Sequence, residues 1–141
     1  MDNHTLEVGR VINAPIERVW QAWTDPAEMK KWYAPEVLIT PEAEVDLKVG
    51  GAYRIVMEGE DGRHVAVGTF TAVEAPRKLK FSWKWEGSPE GETNVTITLE
   101  EIEGGKTNVT LTHEGFADEE SKDMHEQGWE STFNKLEKYV A

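Results

Sequence analysis

The chain contains no cysteine, which excludes disulfide bonds, a thiolate nucleophile and thiolate metal ligands. It also lacks the run of roughly 18 apolar residues that a membrane-spanning helix needs. Its first residues carry neither the basic nor the apolar segment of a secretory signal. We therefore expect a cytoplasmic protein without a membrane partner. A length of 141 residues suffices for one well-packed domain, and we expect a single domain over residues 1–141.

Basic side chains are scarce, because only 15 lysines and arginines accompany 27 aspartates and glutamates. The net charge is -12, and no basic run is longer than the two residues of Lys30-Lys31. Nucleic-acid binding depends largely on basic side chains that neutralise phosphates, so this balance argues against a nucleic-acid partner. It argues in the same way against binding to anionic membrane surfaces.

Known catalytic and metal-binding motifs are missing as well. No Gly-x-Ser-x-Gly motif is present for a nucleophile, and Gly50-Gly51 is not followed by the Lys-Ser/Thr of a phosphate loop. No two histidines have the spacing of a zinc motif; they are His4, His64, His113 and His125. We therefore expect no metal, no cofactor and no catalytic constellation that the sequence alone would reveal.

The first 32 residues are expected to form one strand and two short helices. Alternating apolar residues predict the strand over roughly residues 5–13. Pro15 suits the first position of a helix, which places Ala14 at the N-cap. Asp25 is expected to cap a second helix that starts at Pro26. The first helix carries an apolar stripe at helical spacing, formed by Ile16, Val19, Trp20 and Trp23.

Residues 37–114 alternate with a period of two and are expected to form six strands. The segment from Pro35 to Pro41 reads as a loop or a broken edge strand, and Gly68 as a bulge. Leu79, Phe81, Trp83 and Trp85 give the strongest alternation, which predicts one buried face. The opposite face, which includes Ser82, is expected to be solvated.

The last twenty residues predict one long helix that Asp118 caps. Its apolar stripe consists of Trp129, Phe133, Leu136 and Val140. An antiparallel sheet with one apolar face must cover that face, and this helix is the element long enough to do so. We therefore expect an α+β fold in the order β-α-α-β6-α, in which a curved antiparallel sheet wraps the C-terminal helix and leaves a gap between them.

Several motifs resemble one known superfamily over about residues 6–140. They are Asn13-Ala14-Pro15-x-Glu17-x-Val19-Trp20 with Asp25-Pro26 and Trp32, Asp46 before Gly50-Gly51-x-Tyr53, Gly68 with Pro76 and Leu79-x-Phe81-x-Trp83, Leu111-Thr112-His113-x-Gly115-Phe116, and Gly128-Trp129. The pattern is similar to the SRPBCC (START/Bet v-like) superfamily, and to its Hsp-ninety ATPase activator homologue-like (AHSA) branch. The resemblance implies a helix-grip fold with a deep hydrophobic cavity between sheet and helix. Members of the superfamily bind lipids or small hydrophobic molecules, cyclise or dehydrate polyketides, or assist a chaperone.

Many aromatic and apolar side chains are expected to converge on this interior, either as packing or as the lining of a ligand cavity. The candidates are Trp23, Trp32, Tyr53, Ile55, Met57, Phe70, Phe81, Trp83, Trp85, His113, Phe116, Met124, Trp129 and Phe133. His113 continues the apolar face of its strand. It is either a core histidine that bonds a neighbour, or a polar anchor or acid/base in the cavity.

Three functions remain open at this point. The leading hypothesis is a carrier or sensor of a small aromatic or lipid-like molecule, in which Tyr53 or His113 sets the ligand's orientation. The second is a cyclase or dehydrase in which His113 moves a proton. The third is a co-chaperone that stimulates a heat-shock-protein ATPase in a stress response, with the chaperone as partner. The protein is expected to be a monomer or a weak dimer.

Overall fold

The computed structural model describes residues 4–34, 38–88 and 91–140. The first part of the chain forms β1 (His4–Ile12), α1 (Ile16–Thr24) and α2 (Pro26–Trp32). Six strands and a long helix follow: β2 (Ile39–Val45), β3 (Ala52–Gly59), β4 (Gly62–Glu74), β5 (Lys78–Trp85), β6 (Thr93–Ile102), β7 (Lys106–Phe116) and α3 (Glu119–Val140). The predicted order of elements is confirmed.

The strands form one curved antiparallel sheet in the order β1-β7-β6-β5-β4-β3-β2. Neighbours in the chain are neighbours in the sheet, except that β1 pairs with β7 and so joins the first strand to the last. The helix-grip α+β fold is thereby confirmed. None of the helices in the described ranges is long and apolar enough to cross a membrane.

The two short helices start at prolines, as predicted, but the first begins one residue late. Pro15 is the N-cap of α1 rather than its first helical residue, because its ψ of 156° is extended. Its carbonyl accepts the backbone N–H groups of Arg18 and Val19. Asp25 caps α2 as predicted, since its side chain accepts the backbone N–H of Ala27 at 2.9 Å.

From Ile39 onwards, the proline-rich segment after α2 forms the edge strand of the sheet. Residues 35–37 of this segment lie outside the described residues. Pro41 lies in β2, which is the last strand of the sheet order, where a missing N–H leaves no ladder bond unpaired. The pairing of β2 with β3 shifts register between Ile39 and Glu42, so the expected broken edge strand is present.

Two expectations about β4 and β5 are wrong. The register shift between these strands falls between Phe70 and Ala72, whereas Gly68 pairs regularly with Tyr53 of β3. Gly68 has a different purpose: a Cβ there would collide with the Ser82 carbonyl oxygen and lie 2.7 Å from the Tyr53 ring. Glycine is therefore required at this position because Ser82 and Tyr53 approach its backbone closely, and not because of a bulge.

Ser82 is buried rather than solvated, with 6% of its surface exposed. Its hydroxyl accepts the backbone N–H of Thr69 at 2.9 Å and so replaces a ladder acceptor between the strands. Its carbonyl oxygen accepts the phenol of Tyr53 at 2.6 Å. Ser82 therefore occupies a polar position in the alternation of β5, although its hydroxyl and carbonyl groups make buried hydrogen bonds.

The long helix α3 lies closer to the strands at one end of the sheet, β1 and β7, than to the remaining strands. Its stripe of Trp129, Phe133 and Leu136 is buried, as predicted, and Asp118 accepts the backbone N–H of Ser121 at 2.8 Å as its cap. The helix packs on β1 and β7 and stands further from β3, β4 and β5. Arg10 of β1 holds the helix through hydrogen bonds to the side chains of Glu130, Asn134 and Glu137.

Candidate functional site

A cavity of about 360 Å³ lies where α3 stands away from strands β3, β4 and β5. Tyr33, Ala34 and Leu38 close one side, and α3 closes another. The wall is mostly aromatic and apolar and consists of Tyr33, Ala34, Leu38, Met57, His64, Trp83, Trp85, Met124, His125, Gly128, Trp129 and Thr132. Half of these residues are buried, and Met124 is 68% exposed, so the cavity opens to solvent beside it.

Five of the fourteen residues proposed from the sequence lie in this wall, and they come from β3, β5 and α3. They are Met57, Trp83, Trp85, Met124 and Trp129. The alternation of β5 delivers two tryptophans to the cavity, since Trp83 and Trp85 point to the same face of the sheet. Their rings meet edge to face with centroids 5.3 Å apart. The strongest sequence pattern in the chain therefore supplies a large part of the wall.

The other proposed residues lie elsewhere in the interior. One group borders a separate gap of about 10 Å³, close to the space of a single water: Trp23, Tyr53, Ile55, Phe70 and Phe81. Phe116 borders a second gap of about 10 Å³. Trp32, Phe133 and His113 are buried outside the walls of all three spaces.

Trp23 and Trp32 pack the three helices together. Their rings meet edge to face at 4.8 Å, and Trp23 also meets Phe133 of α3 at 5.7 Å. The indole N–H of Trp32 donates to the carbonyl of Ala22 in α1 at 3.0 Å. These contacts fix the helix pair against α3 and so set one boundary of the cavity.

His113 lies in the middle of a buried chain of hydrogen bonds that starts at Trp129 and ends at the Trp83 carbonyl. Its ring is fully buried, and Trp129 Nε1 donates to its Nδ1 at 3.1 Å. The ring proton therefore sits on Nε2, which donates to Thr93 Oγ1 at 2.6 Å, and Thr93 donates in turn to the Trp83 carbonyl at 3.2 Å.

Burial, with a smaller effect of the nearby His125 ring, lowers the pKa of His113 to about 3. The imidazole is therefore neutral at physiological pH, and both of its nitrogens are engaged. This geometry matches a core histidine that orients Trp83 and Trp129, two residues of the cavity wall. It does not match an acid/base that meets a ligand.

The wall also contains residues that the sequence reasoning missed. They are Tyr33, Ala34, Leu38, His64, His125, Gly128 and Thr132. Those on α3 could have been found, because the stripe that begins at Trp129 extends back to His125 at i−4 and forward to Thr132 at i+3. Leu38 and its neighbours follow a helix end without any repeating pattern, so no sequence signal marked them.

His125 joins α3 to β5 at the edge of the cavity. Trp85 Nε1 donates to His125 Nε2 at 2.9 Å, and His125 Nδ1 donates to the carbonyl of Ser121 at 2.8 Å. Both ring nitrogens are therefore occupied within the protein. Across residues 4–34, 38–88 and 91–140, no group of three or more histidine and carboxylate side chains is placed to hold a metal ion.

A seven-stranded antiparallel sheet that wraps a long C-terminal helix and leaves a cavity between them defines a helix-grip protein of the SRPBCC type. The chain belongs to the family of Activator of Hsp90 ATPase homolog 1-like proteins, whose family model matches residues 13–141. No curated protein matches it significantly.

Solved structures from several bacteria are similar to the whole chain. A protein from Chromobacterium violaceum is 26% identical, with a TM-score of 0.86 and 96% of each chain covered. The AHSA1 protein from Silicibacter pomeroyi is 28% identical, with a TM-score of 0.83 and 96% of each chain covered. CalU16 from Micromonospora echinospora is 27% identical, with a TM-score of 0.77, over 99% of this chain and 77% of that one.

Proposed function

We propose that the protein binds a small aromatic or lipid-like molecule in the cavity between α3 and strands β3–β5, as a carrier or sensor. The observation that carries this proposal is the cavity of about 360 Å³ with a wall of aromatic and apolar side chains. Family and fold support a ligand-binding or co-chaperone-like role in general. Ligand sites in proteins are typically concave and apolar, with a few polar groups that set orientation.

The volume suggests the size of the ligand. An apolar protein cavity of about 150 Å³ accommodates benzene. A cavity of about 360 Å³ is more than twice as large, so it suits a compound of about two aromatic rings or an aliphatic chain of similar volume. Affinity would come from apolar surface removed from water, at about 25 cal/mol per Å².

Two methionines give this wall some adaptability. Met57 is buried in the wall and Met124 is 68% exposed at its opening, and unbranched thioether side chains adjust readily to different shapes. Movement of Met124 alone would widen the entrance without disturbing the sheet. These features suit a carrier or sensor that accepts related molecules.

Two other functions are weaker candidates. A role at a chaperone ATPase is suggested by the family description, and a chaperone ATPase assay with added protein tests it. The cyclase or dehydrase hypothesis relies on His113 as the proton carrier, but His113 lies outside the cavity wall with both nitrogens engaged. We therefore favour ligand binding without chemical conversion.

The decisive experiment fills the cavity from α3. Thr132→Phe introduces a ring at a wall position that is 3% exposed, and Gln127→Phe adds the same ring to the exposed outer face of the helix. Native mass spectrometry and tryptophan fluorescence would follow binding of naphthalene derivatives and medium-chain fatty acids.

We expect one ligand per chain in the wild type and in Gln127→Phe, and at least a tenfold loss of affinity in Thr132→Phe. Thermal unfolding shows whether both variants fold. If folded Thr132→Phe binds as tightly as the wild type, or if no compound binds the wild type, the proposal is wrong.

A further inference from the structure

The two residues that were expected to orient a ligand are engaged elsewhere in the protein. The phenol of Tyr53 donates to the Ser82 carbonyl at 2.6 Å. Both ring nitrogens of His113 are hydrogen-bonded, to Thr93 and Trp129. Neither Tyr53 nor His113 lines the large cavity. A polar group that orients a ligand in this cavity must therefore come from another residue.

His64 of β4 places a polar ring on the inner face of the sheet. It lies directly opposite Met57 of β3, and the side chains of directly opposed residues share one face of a sheet. Met57 is buried in the cavity wall, and the His64 ring belongs to the same wall. The His64 ring also meets the Trp85 ring edge to face, with centroids 6.4 Å apart. The strand register and this ring contact therefore both direct His64 towards the cavity.

The His64 ring lies where the cavity meets solvent. His64 and Met124 are the two exposed residues of the described wall, and 45% of the His64 side chain is accessible. Within the described part of the chain, the His64 ring forms no hydrogen bond. The ring of His125, the other histidine of the wall, has both nitrogens occupied. His64 is therefore the wall histidine that is free to bond a ligand.

The carboxylate of Asp61 determines what His64 offers to a ligand. Nε2 of His64 lies 3.6 Å from Oδ1 of Asp61. The carboxylate attracts the N–H of a neutral imidazole to this side, which leaves the lone pair of Nδ1 as an acceptor. The same carboxylate repels an anionic ligand head, and no lysine or arginine of the described wall offsets this repulsion. This position therefore suits a neutral group that donates a hydrogen bond.

We propose that Nδ1 of His64 accepts a hydrogen bond from the ligand, and that the ligand is a planar apolar molecule with a hydroxyl group, of the phenol type. This inference rests on the proposed function. The apolar body lies among the aromatic rings of the wall, and the hydroxyl group stays at the boundary with solvent. A pure hydrocarbon would lack this bond, and a carboxylate would meet the charge of Asp61.

The test compares two probes of nearly the same shape, 2-naphthol and 2-methylnaphthalene, of which only the first has an O–H group. Both are titrated at about pH 8, where imidazole side chains are ordinarily neutral. The proteins are the wild type, His64→Phe and Arg63→Phe. His64→Phe keeps a ring against Trp85 but removes both nitrogens. Arg63→Phe is the matched control, because it adds the same ring at the preceding position, whose side chain points to the opposite face of β4.

The ratio of the 2-naphthol affinity to the 2-methylnaphthalene affinity isolates the hydrogen bond, because changes in shape affect both probes. We expect this ratio to fall about three- to tenfold in His64→Phe and to stay unchanged in Arg63→Phe. An unchanged ratio in His64→Phe, with both probes still bound, overturns the role of His64 and leaves the proposed function intact. An equal fall in Arg63→Phe overturns it as well. If neither probe binds the wild type, the proposed function itself fails for such compounds.

A third probe, 2-naphthoate, separates a hydroxyl group from an anionic head. We expect it to bind the wild type several-fold more weakly than 2-naphthol, because it faces Asp61. Binding of 2-naphthoate as tight as that of 2-naphthol would overturn the assignment of a hydroxyl ligand.

An NMR measurement on the wild type keeps the test valid if His64→Phe does not fold. The ¹⁵N resonance of His64 Nδ1 should move upfield when 2-naphthol binds, and much less when 2-methylnaphthalene binds. Equal shifts with the two probes contradict the inference.

Discussion

Nε1 of Trp85 and Nε2 of His125 lie 2.9 Å apart, and this hydrogen bond joins β5 to α3 at the edge of the cavity. The two rings also stack at a tilt, with centroids 6.0 Å apart. The close packing contacts of α3 are with β1 and β7. The Trp85–His125 bond instead connects α3 to β5, from which the helix stands away. The bond therefore joins two residues of the cavity wall that come from different elements.

His125→Phe tests this link. The variant keeps a ring against Trp85 and Phe116 but removes the acceptor, so the free energy of unfolding should fall by about 0.5–1.5 kcal/mol in urea denaturation. His64→Phe is the matched control, because His64 also faces the Trp85 ring, at 6.4 Å, but lies in an exposed position. It should change stability by less than about 0.5 kcal/mol. Equal losses in the two variants would show that the bond is unimportant.

The neutral, buried state of His113 predicts a pH dependence of stability. Burial lowers the folded-state pKa from 6.5 to about 3, so between these values the unfolded chain binds a proton that the folded protein does not. Stability from this group is complete above pH 6.5 and is lost as the pH falls towards 3. The slope should approach about 1.4 kcal/mol per pH unit within this window.

His113→Gln and His113→Phe isolate this contribution from that of the carboxylates. Glutamine can still accept from Trp129 and donate to Thr93, whereas phenylalanine can do neither. The variants should therefore differ in absolute stability, yet both should lose the same pH-dependent part relative to the wild type. Unfolding curves that run parallel to the wild type between pH 4 and 7 would contradict a neutral buried His113.

Gly68 predicts a large steric effect. In Gly68→Ala the added methyl group would collide with the Ser82 carbonyl and press on the Tyr53 ring, where the Tyr53–Ser82 hydrogen bond lies. We expect a loss of at least about 3 kcal/mol in the free energy of unfolding. Gly91→Ala is the control, because a Cβ there meets nothing within 4 Å. A Gly68→Ala protein as stable as Gly91→Ala would refute the close approach.

The fold was predictable because its signals are periodic. The alternation of β5 and the stripe of Trp129, Phe133 and Leu136 on α3 each reflect a whole element that faces a core. The errors fall where one contact overrides the pattern. Ser82 sits at a polar position of the alternation but is buried, because its hydroxyl replaces a ladder acceptor for Thr69.

The cavity was only partly predictable. Periodicity assigns a side chain to the interior, but it does not separate a packed interior from an open one. Trp83 and Tyr53 share the same kind of pattern, yet Trp83 borders a space of about 360 Å³ and Tyr53 a gap of about 10 Å³. The difference arises from the position of α3, which stands away from some strands and packs on others. That distance is a property of the tertiary structure and leaves no local mark in the sequence.

The central claim is that the space beneath α3 receives a small apolar molecule. The most direct test is the anomalous diffraction of a crystal of the wild-type protein soaked in 2-bromonaphthalene. We predict one strong bromine peak inside the cavity, in contact with residues such as Trp83, Trp129 and Thr132. A cavity filled by side chains, or bromine peaks confined to the protein surface, would contradict the claim.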